Sequence, residues 1–187
     1  MQRELEAAYE LKTQRVADRE GCKLEGKVLN RIARWTREGY ELEGDPRHAE
    51  LVIEQLDLSN VSALSSPCVD AAEPEIGDAG DEELDPAAAT QYRAIVARCN
   101  YMSVDRPELQ YAVQEACREM SKPTNSSWQK IVHICRYLKG HPRLVWRFAL
   151  QFLATSLDIY VDSNWAGCRR IRKSTSGGVI MLGSHIL

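Results

Sequence analysis

Between Tyr92 and Gly140 the chain reads YRAIVARCNYMSVDRPELQYAVQEACREMSKPTNSSWQKIVHICRYLKG, three apolar stripes at helical spacing. Tyr92, Ile95, Val96, Cys99 and Met102 fall on one face of a first helix. Asp105-Arg106-Pro107 restarts the chain, with the acid near the cap and proline in the first turn, where its missing N–H costs little. Leu109, Val113, Ala116, Cys117 and Met120 form the second stripe. Pro123-Thr124-Asn125-Ser126 opens the third helix, since a Thr, Asn or Ser side chain accepts orphan amide protons. Trp128, Ile131, Val132, Cys135 and Leu138 make its stripe, and Gly140 followed by Pro142 stops it. Three amphipathic helices joined this closely are expected to pack as a small bundle.

The remaining sequence sets limits. A chain of 187 residues makes one large or two small domains. No apolar run approaches the roughly 18 residues of a membrane span. No basic-then-apolar leader follows Met1, so an intracellular location, cytoplasmic or nuclear, is expected rather than secretion. Six cysteines (22, 68, 99, 117, 135 and 168) form no C-x-x-C pair, and with the dispersed His48, His133, His141 and His185 they give no zinc spacing. Cys99, Cys117 and Cys135 lie on the apolar stripes and are expected to be buried thiols. Charge is uneven: residues 1–90 hold 10 Lys/Arg against 21 Asp/Glu, and residues 91–187 hold 14 against 6. The second half is where a polyanion would dock, if its charge is more than an ordinary solvated surface.

In chain order, residues 1–58 read as a small α/β unit. Tyr9–Val16 alternates weakly, as a half-buried strand does, and Val28–Trp35 is a second extended candidate, with a helix also permitted by its periodicity. Glu38-Gly39-Tyr40 turns into a short third strand ending near Glu43. Asp45-Pro46 then starts a helix, with Asp as cap and Ala49, Val52, Ile53 and Leu56 at i, i+3, i+4 and i+7. From residue 59 Ser, Pro, Ala and acids dominate, with eight carboxylates between Asp70 and Asp85, a solvated connector rather than an acidic docking tail. Asp85-Pro86 starts the helix that continues through Tyr92. After Gly140 strands return: Leu144–Phe148, the alternating Leu157–Asp162, and Val179–Leu182, with a turn at Gly183-Ser184 and a basic loop, Arg169–Lys173, between the last two.

The helical stretch resembles the segment just after the polymerase palm in reverse transcriptases of copia-type LTR retrotransposons. The motifs that carry the likeness are Tyr92-Arg93, Arg106-Pro107, Tyr111-Ala112-Val113, Met120, Pro123-Thr124, Trp128 and Arg136-Tyr137-Leu138-Lys139-Gly140. More loosely, Glu43–Ala49 is similar to the end of the palm in some copia-like elements, while Val28-Leu29-Asn30-Arg31 departs from the usual Leu-Gly pair. Asp162-Ser163-Asn164-Trp165-Ala166-Gly167, with Lys173-Ser174-Thr175-Ser176-Gly177 downstream, resembles the opening of the RNase H domain that follows. Two departures stand out: Asn164 replaces a second acid common in the motif, and Gly178 an aromatic. Tyr160-Val161-Asp162-Ser163 also looks like part of the polymerase's Tyr-Val-Asp-Asp hairpin, but its neighbours and its place after the helices belong to the nuclease pattern.

The resemblance implies a mixed α/β chain: a palm-like end at 1–58, an acidic linker at 59–85, a thumb- or connection-like helical bundle at 86–142, and the start of an RNase H-like sheet at 143–187. It makes Asp162 the first-strand aspartate that binds Mg²⁺ in the parent family. Two-metal phosphodiester hydrolysis needs several converging carboxylates. Asp158 lies four residues away on the same strand face, about 13 Å at strand rise. The family's remaining acids come later in the domain and the polymerase aspartates earlier, so the expectation is a chain with no cofactor as it stands and neither activity alone. The resemblance places Arg136, Lys139 and Arg143 near the template–primer duplex as phosphate contacts; otherwise they are cations at a solvated helix end. Of the tryptophans that have a face to stack on bases, Trp128 is expected in the core, unlike Trp146 and Trp165. The expected partners are an RNA–DNA hybrid and the rest of the Pol polyprotein, with no membrane. The competing reading is a domesticated, non-catalytic nucleic-acid-binding or protein-interaction module. An incomplete sheet is expected to leave an open edge and an uncovered apolar face.

Overall fold

The structure is a computed structural model that describes residues 2–10, 13–68, 81–166 and 172–187. The fold is mixed α/β, with five helices and two sheets among these residues. In chain order they are α1 (Gln2–Ala8), β1 (Glu25–Val28), β2 (Arg31–Thr36), β3 (Gly39–Glu43), α2 (Arg47–Gln55), α3 (Pro86–Met102), α4 (Gln110–Arg118), α5 (Asn125–Gly140), β4 (Val145–Ala149), β5 (Leu157–Ser163), β6 (Ser176–Leu182) and β7 (His185–Ile186). They group into two compact units, one made of residues 27–33 and 42–146, the other of residues 1–26, 34–41 and 147–187.

The first unit holds the helices and the main core. Each apolar stripe is buried as its spacing demands: Tyr92, Ile95, Val96 and Cys99 from α3, Val113 and Ala116 from α4, and Ile131, Cys135 and Leu138 from α5. Trp128 is half-buried against this core. The helix starts are chemically explicit. Asp85 caps α3, its carboxylate accepting from the Ala87 and Ala88 amides at 2.8 and 3.0 Å. Thr124 caps α5 reciprocally: its hydroxyl accepts from the Ser127 amide, and the Ser127 hydroxyl accepts from the Thr124 amide. Such a cap is worth about 1 kcal/mol. Pro107 opens a 3₁₀ turn, Pro107–Leu109, which runs on into α4.

Helix α2 packs against both α3 and α5, so Ala49 and Val52 join the same core as the three later helices. Asp45 does not cap it as expected. Pro46 holds the N-cap position, and Asp45 bonds the Arg47 amide and guanidinium instead. Asp105 likewise leaves the start of α4 and turns to Arg31.

In the second unit the expected strand over Tyr9–Val16 does not form. Helix α1 precedes it, Leu11 and Lys12 lie outside the described residues, and only Val16 makes a bridge, to Lys23. The extended run Val28–Trp35 breaks into two strands because Leu29 and Asn30 both adopt left-handed backbone, with φ of 49° and 65°. That pair of positive φ values makes the tight reversal of a hairpin, and Asn tolerates it well. Strand order in the four-stranded sheet is β1-β2-β3-β4.

Strands β5, β6 and β7 form a separate antiparallel sheet, with Leu157 opposite Leu182, Ile159 opposite Ile180 and Val161 opposite Gly178. Period-2 alternation puts those six residues on one face. Leu157, Ile159 and Val161 are 55, 64 and 80% exposed, so the β5 part of this apolar face is uncovered. The connector between 69 and 80, and the basic loop from 167 to 171 with Cys168, lie outside the described residues.

Candidate nucleic-acid interface and acidic site

The two sites implied by sequence fall in different units.

Arg136 and Lys139 lie three residues apart on α5, hence on one face of its last turns. Neither is bare. Arg136 donates to the Ser62 carbonyl at 2.9 Å and to the Ser62 hydroxyl at 2.8 Å. Lys139 donates to the Ser59 and Val61 carbonyls, both at 2.6 Å. A ring nitrogen of His133, one turn earlier, sits 3.1 Å from the Ser66 carbonyl. The segment after α2 thus runs along α5, held at Leu64 by a hydrogen bond that its backbone N–H donates to the Arg136 carbonyl. Ala63 sits so close to Gly140 that a Cβ on Gly140 would come within 3.0 Å of the Ala63 Cβ. Among the described residues, the acceptors bonded to Arg136 and Lys139 are uncharged.

Arg143 is different. Its Nη2 donates to the Glu43 carboxylate at 2.8 Å, and Glu43 is only 2% exposed, so this guanidinium is committed to a buried anion. Beside it a second pair, Arg31 with Asp105, fixes the loop before α4, and the Trp146 indole N–H donates to the Asp105 carbonyl at 2.7 Å. Trp146 therefore works as a polar tie. Sequence reasoning missed these pairs, because Glu43–Arg143 and Arg31–Asp105 span 100 and 74 residues.

Arg106, Asp45 and His48 line a small cleft closed by Tyr101, Pro142 and Leu144. Its room is about 20 Å³, enough for roughly one water. The Arg47 guanidinium holds Asp45 down at about 2, with burial opposing it and the Arg47 amide adding to it. A carboxylate lowered from 3.8 to about 2 contributes stability that is fully present above its unfolded value and lost as pH falls through about 2. Asp45→Asn should therefore flatten the melting-temperature profile between about pH 5 and pH 2, a difference thermal denaturation across that window will read.

Asp162 stands on β5 opposite Gly177, exposed to solvent like the rest of its strand. Asp158 is the acid on the same face, four residues along. Among the described residues no three His, Cys, Asp or Glu side chains gather where a metal ion would sit. Mg²⁺ is the ion the resemblance implies, and one exposed carboxylate does not fit it; no chemical step is assigned to the ion. Asn164, where the motif has a second acid, is bound to the backbone: its side-chain oxygen accepts from the Thr175 amide at 2.6 Å and its own amide donates to the Thr175 carbonyl at 3.1 Å. It extends the β5–β6 ladder. Trp165 projects beyond it, 95% exposed.

The geometry defines a mixed α/β chain with a capped helical core and a solvent-exposed antiparallel sheet. No protein-family model matches it, and no solved structure matches it. Relatives do. Over 96 residues the chain is 36% identical to the retrovirus-related Pol polyprotein from transposon RE2 of Arabidopsis thaliana, covering 51% of this chain and 6% of that protein. Over 106 residues it is 36% identical to the corresponding polyprotein from transposon RE1 of the same plant, covering 57% and 7%. An uncharacterised mitochondrial protein of Arabidopsis thaliana is 26% identical over 144 residues, covering 75% of this chain and 56% of that one. The chain belongs to the retrovirus-related Pol polyproteins of copia-type transposons. The match spans just over half of the mitochondrial relative and a small fraction of each polyprotein. No helix among the described residues is long and apolar enough to cross a membrane.

Proposed function

We propose that this part of the polyprotein runs from the end of the polymerase palm (1–58), through the acidic connector (59–85) and a thumb- or connection-like bundle (86–142), into the opening of an RNase H-like sheet (143–187), and that the bundle holds an RNA–DNA duplex inside the cell. The observation that carries this reading is the pair Arg136 and Lys139, one turn apart on α5, whose positive charges meet uncharged oxygens among the described residues and so are left for phosphate to balance. Arg143 is the weakest of the three contacts, because Glu43 already balances it. The rest of the Pol polyprotein is the proposed partner.

Hybrid binding by the purified chain should weaken steeply with salt, by roughly tenfold or more between about 50 and 200 mM, and Arg136→Gln with Lys139→Gln should shallow that slope. Binding absent at low salt, or insensitive to salt, would overturn the duplex-holding role.

Catalysis by the chain alone forms no part of the proposal. Asp162 has no converging carboxylates among the described residues, and Asn164 is occupied by the ladder. Incubation of the chain with Mg²⁺ and a labelled hybrid should leave the RNA strand intact, and Asp162→Asn should change nothing. Cleavage abolished by Asp162→Asn would sink this part. The same solitary aspartate favours a second reading, in which the chain is a non-catalytic binding module in its own right.

A further inference from the structure

Residues 59–66 cover the surface to which the duplex is assigned. They run along the last two turns of α5, and their contacts there come from backbone and one hydroxyl: Ser59, Val61 and Ser62 carbonyls and Ser62 Oγ on the two cations, and the Leu64 amide on the Arg136 carbonyl. Close approach is possible because Gly140 has no side chain, leaving room for Ala63. Ser62, Ala63, Ser65 and Ser66 are exposed, and the apolar contact given up on leaving is confined to the partly buried Val61 and Leu64, Val61 against the core.

We propose that residues 59–66 are a displaceable strap: phosphate oxygens of a bound nucleic acid replace its carbonyls on Arg136 and Lys139, and the strap lifts. The exchange favours the ligand because the strap offers neutral acceptors where a phosphate offers charged ones, and charge-assisted bonds are the stronger. Both ends are built for this. At one end the strap follows directly from α2 through the 3₁₀ turn Leu58–Asn60. Beyond the connector, the chain is pinned again at the start of α5: Asp81 accepts from the Ser126 amide and hydroxyl, and the Leu84 amide donates to the Pro123 carbonyl. Burial pushes the Asp81 carboxyl up, but the Ser126 and Thr124 hydroxyls outweigh it and hold the carboxyl below its ordinary value, so this pin stays anionic at neutral pH. Release of the strap thus leaves the segment tethered on both sides, ready to return. While it is closed, the apparent affinity of the chain for a polyanion is reduced by the fraction of molecules in which the strap is open.

The proposal rests on the duplex-holding reading, and the test separates the two. Affinity for a short RNA–DNA hybrid is measured for the wild type, for Ser62→Gly, which removes the hydroxyl acceptor, and for Leu64→Pro, which removes the amide tying the strap to Arg136. Exchange of the Leu64 amide is followed in the wild type with and without hybrid. Ser62→Gly is the milder change and keeps the test intact should Leu64→Pro fail to fold. Tighter binding by the variants, roughly tenfold for Leu64→Pro, with faster Leu64 exchange on adding hybrid, is the expected result. Variants that bind while the wild type does not would support a strap that stays shut. Wild-type binding with Leu64 exchange unchanged or slowed would remove the strap and leave the duplex role standing. If neither wild type nor variants bind at low salt, both fall.

Discussion

Tyr92→Ala should be the most damaging single substitution, costing roughly 3–5 kcal/mol of stability. Tyr92 is fully buried, and its hydroxyl donates to the Ala116 carbonyl at 2.7 Å, so the ring fills the space between α3 and the end of α4 while its oxygen satisfies one of the last carbonyls of α4. Truncation removes the packing and the bond together. Tyr92→Phe isolates the second loss: the cavity stays filled and the Ala116 carbonyl loses the Tyr92 hydroxyl but keeps the Glu119 amide at 3.2 Å, for about 0.5–1.5 kcal/mol. Burial pushes the Tyr92 hydroxyl well above the ordinary tyrosine range, so it stays protonated and a donor at neutral pH. Urea unfolding followed by helical circular dichroism will rank the three proteins. Equal midpoints for Tyr92→Ala and the wild type would mean that the bundle core is not where the structure puts it.

The second large effect is expected at Arg143. Arg143→Met withdraws the guanidinium from Glu43, a carboxylate only 2% exposed, and removing one partner of such a pair is costly because the buried charge loses its compensation. The Arg143 side chain is itself 58% exposed, so water screens the pair and the loss belongs at the lower end, about 2–3 kcal/mol. Adding Glu43→Gln to Arg143→Met should restore much of it, since the buried charge that the guanidinium faced is gone. A double-mutant cycle in thermal unfolding measures this directly. An Arg143→Met protein as stable as the wild type would mean that the contact is incidental. The substitution also bears on the interface: because Glu43 already balances Arg143, hybrid affinity should fall less for Arg143→Met than for Lys139→Gln.

The helices were legible because their information is local. Asp85-Pro86 and Thr124–Ser127 satisfy orphan amides within a single turn, and the stripes from Tyr92 to Leu138 repeat at the helical period, so any window of the sequence reports the buried face. Strands β4, β5 and β6 were legible for a similar reason, through alternation and β-branched content. Tyr9–Val16 misled because weak alternation over eight residues carries little weight without partners, and Val28–Trp35 because the reversal at Leu29-Asn30 places a leucine at positive φ, a conformation its side chain does not advertise.

The candidate site was legible only as a choice of residues. Arg136, Lys139, Arg143 and Asp162 were picked out by type and motif, whereas what each one touches depended on segments elsewhere in the chain: residues 59–66 for the first two, and Glu43 for the third. The sequence alone determined the three helices, two of them capped by Asp85 and Thr124, the strands that follow them and the kinship with transposon Pol polyproteins, because caps, periodicity and motifs act over a few residues. Tertiary structure alone decided that α2 joins the bundle, that Glu43 and Asp105 are balanced by arginines, and that two cations on α5 lie beneath a strap. Ion pairs and chain crossings of that kind join residues some 70 to 100 positions apart, and no local pattern encodes which of several equivalent charges will meet.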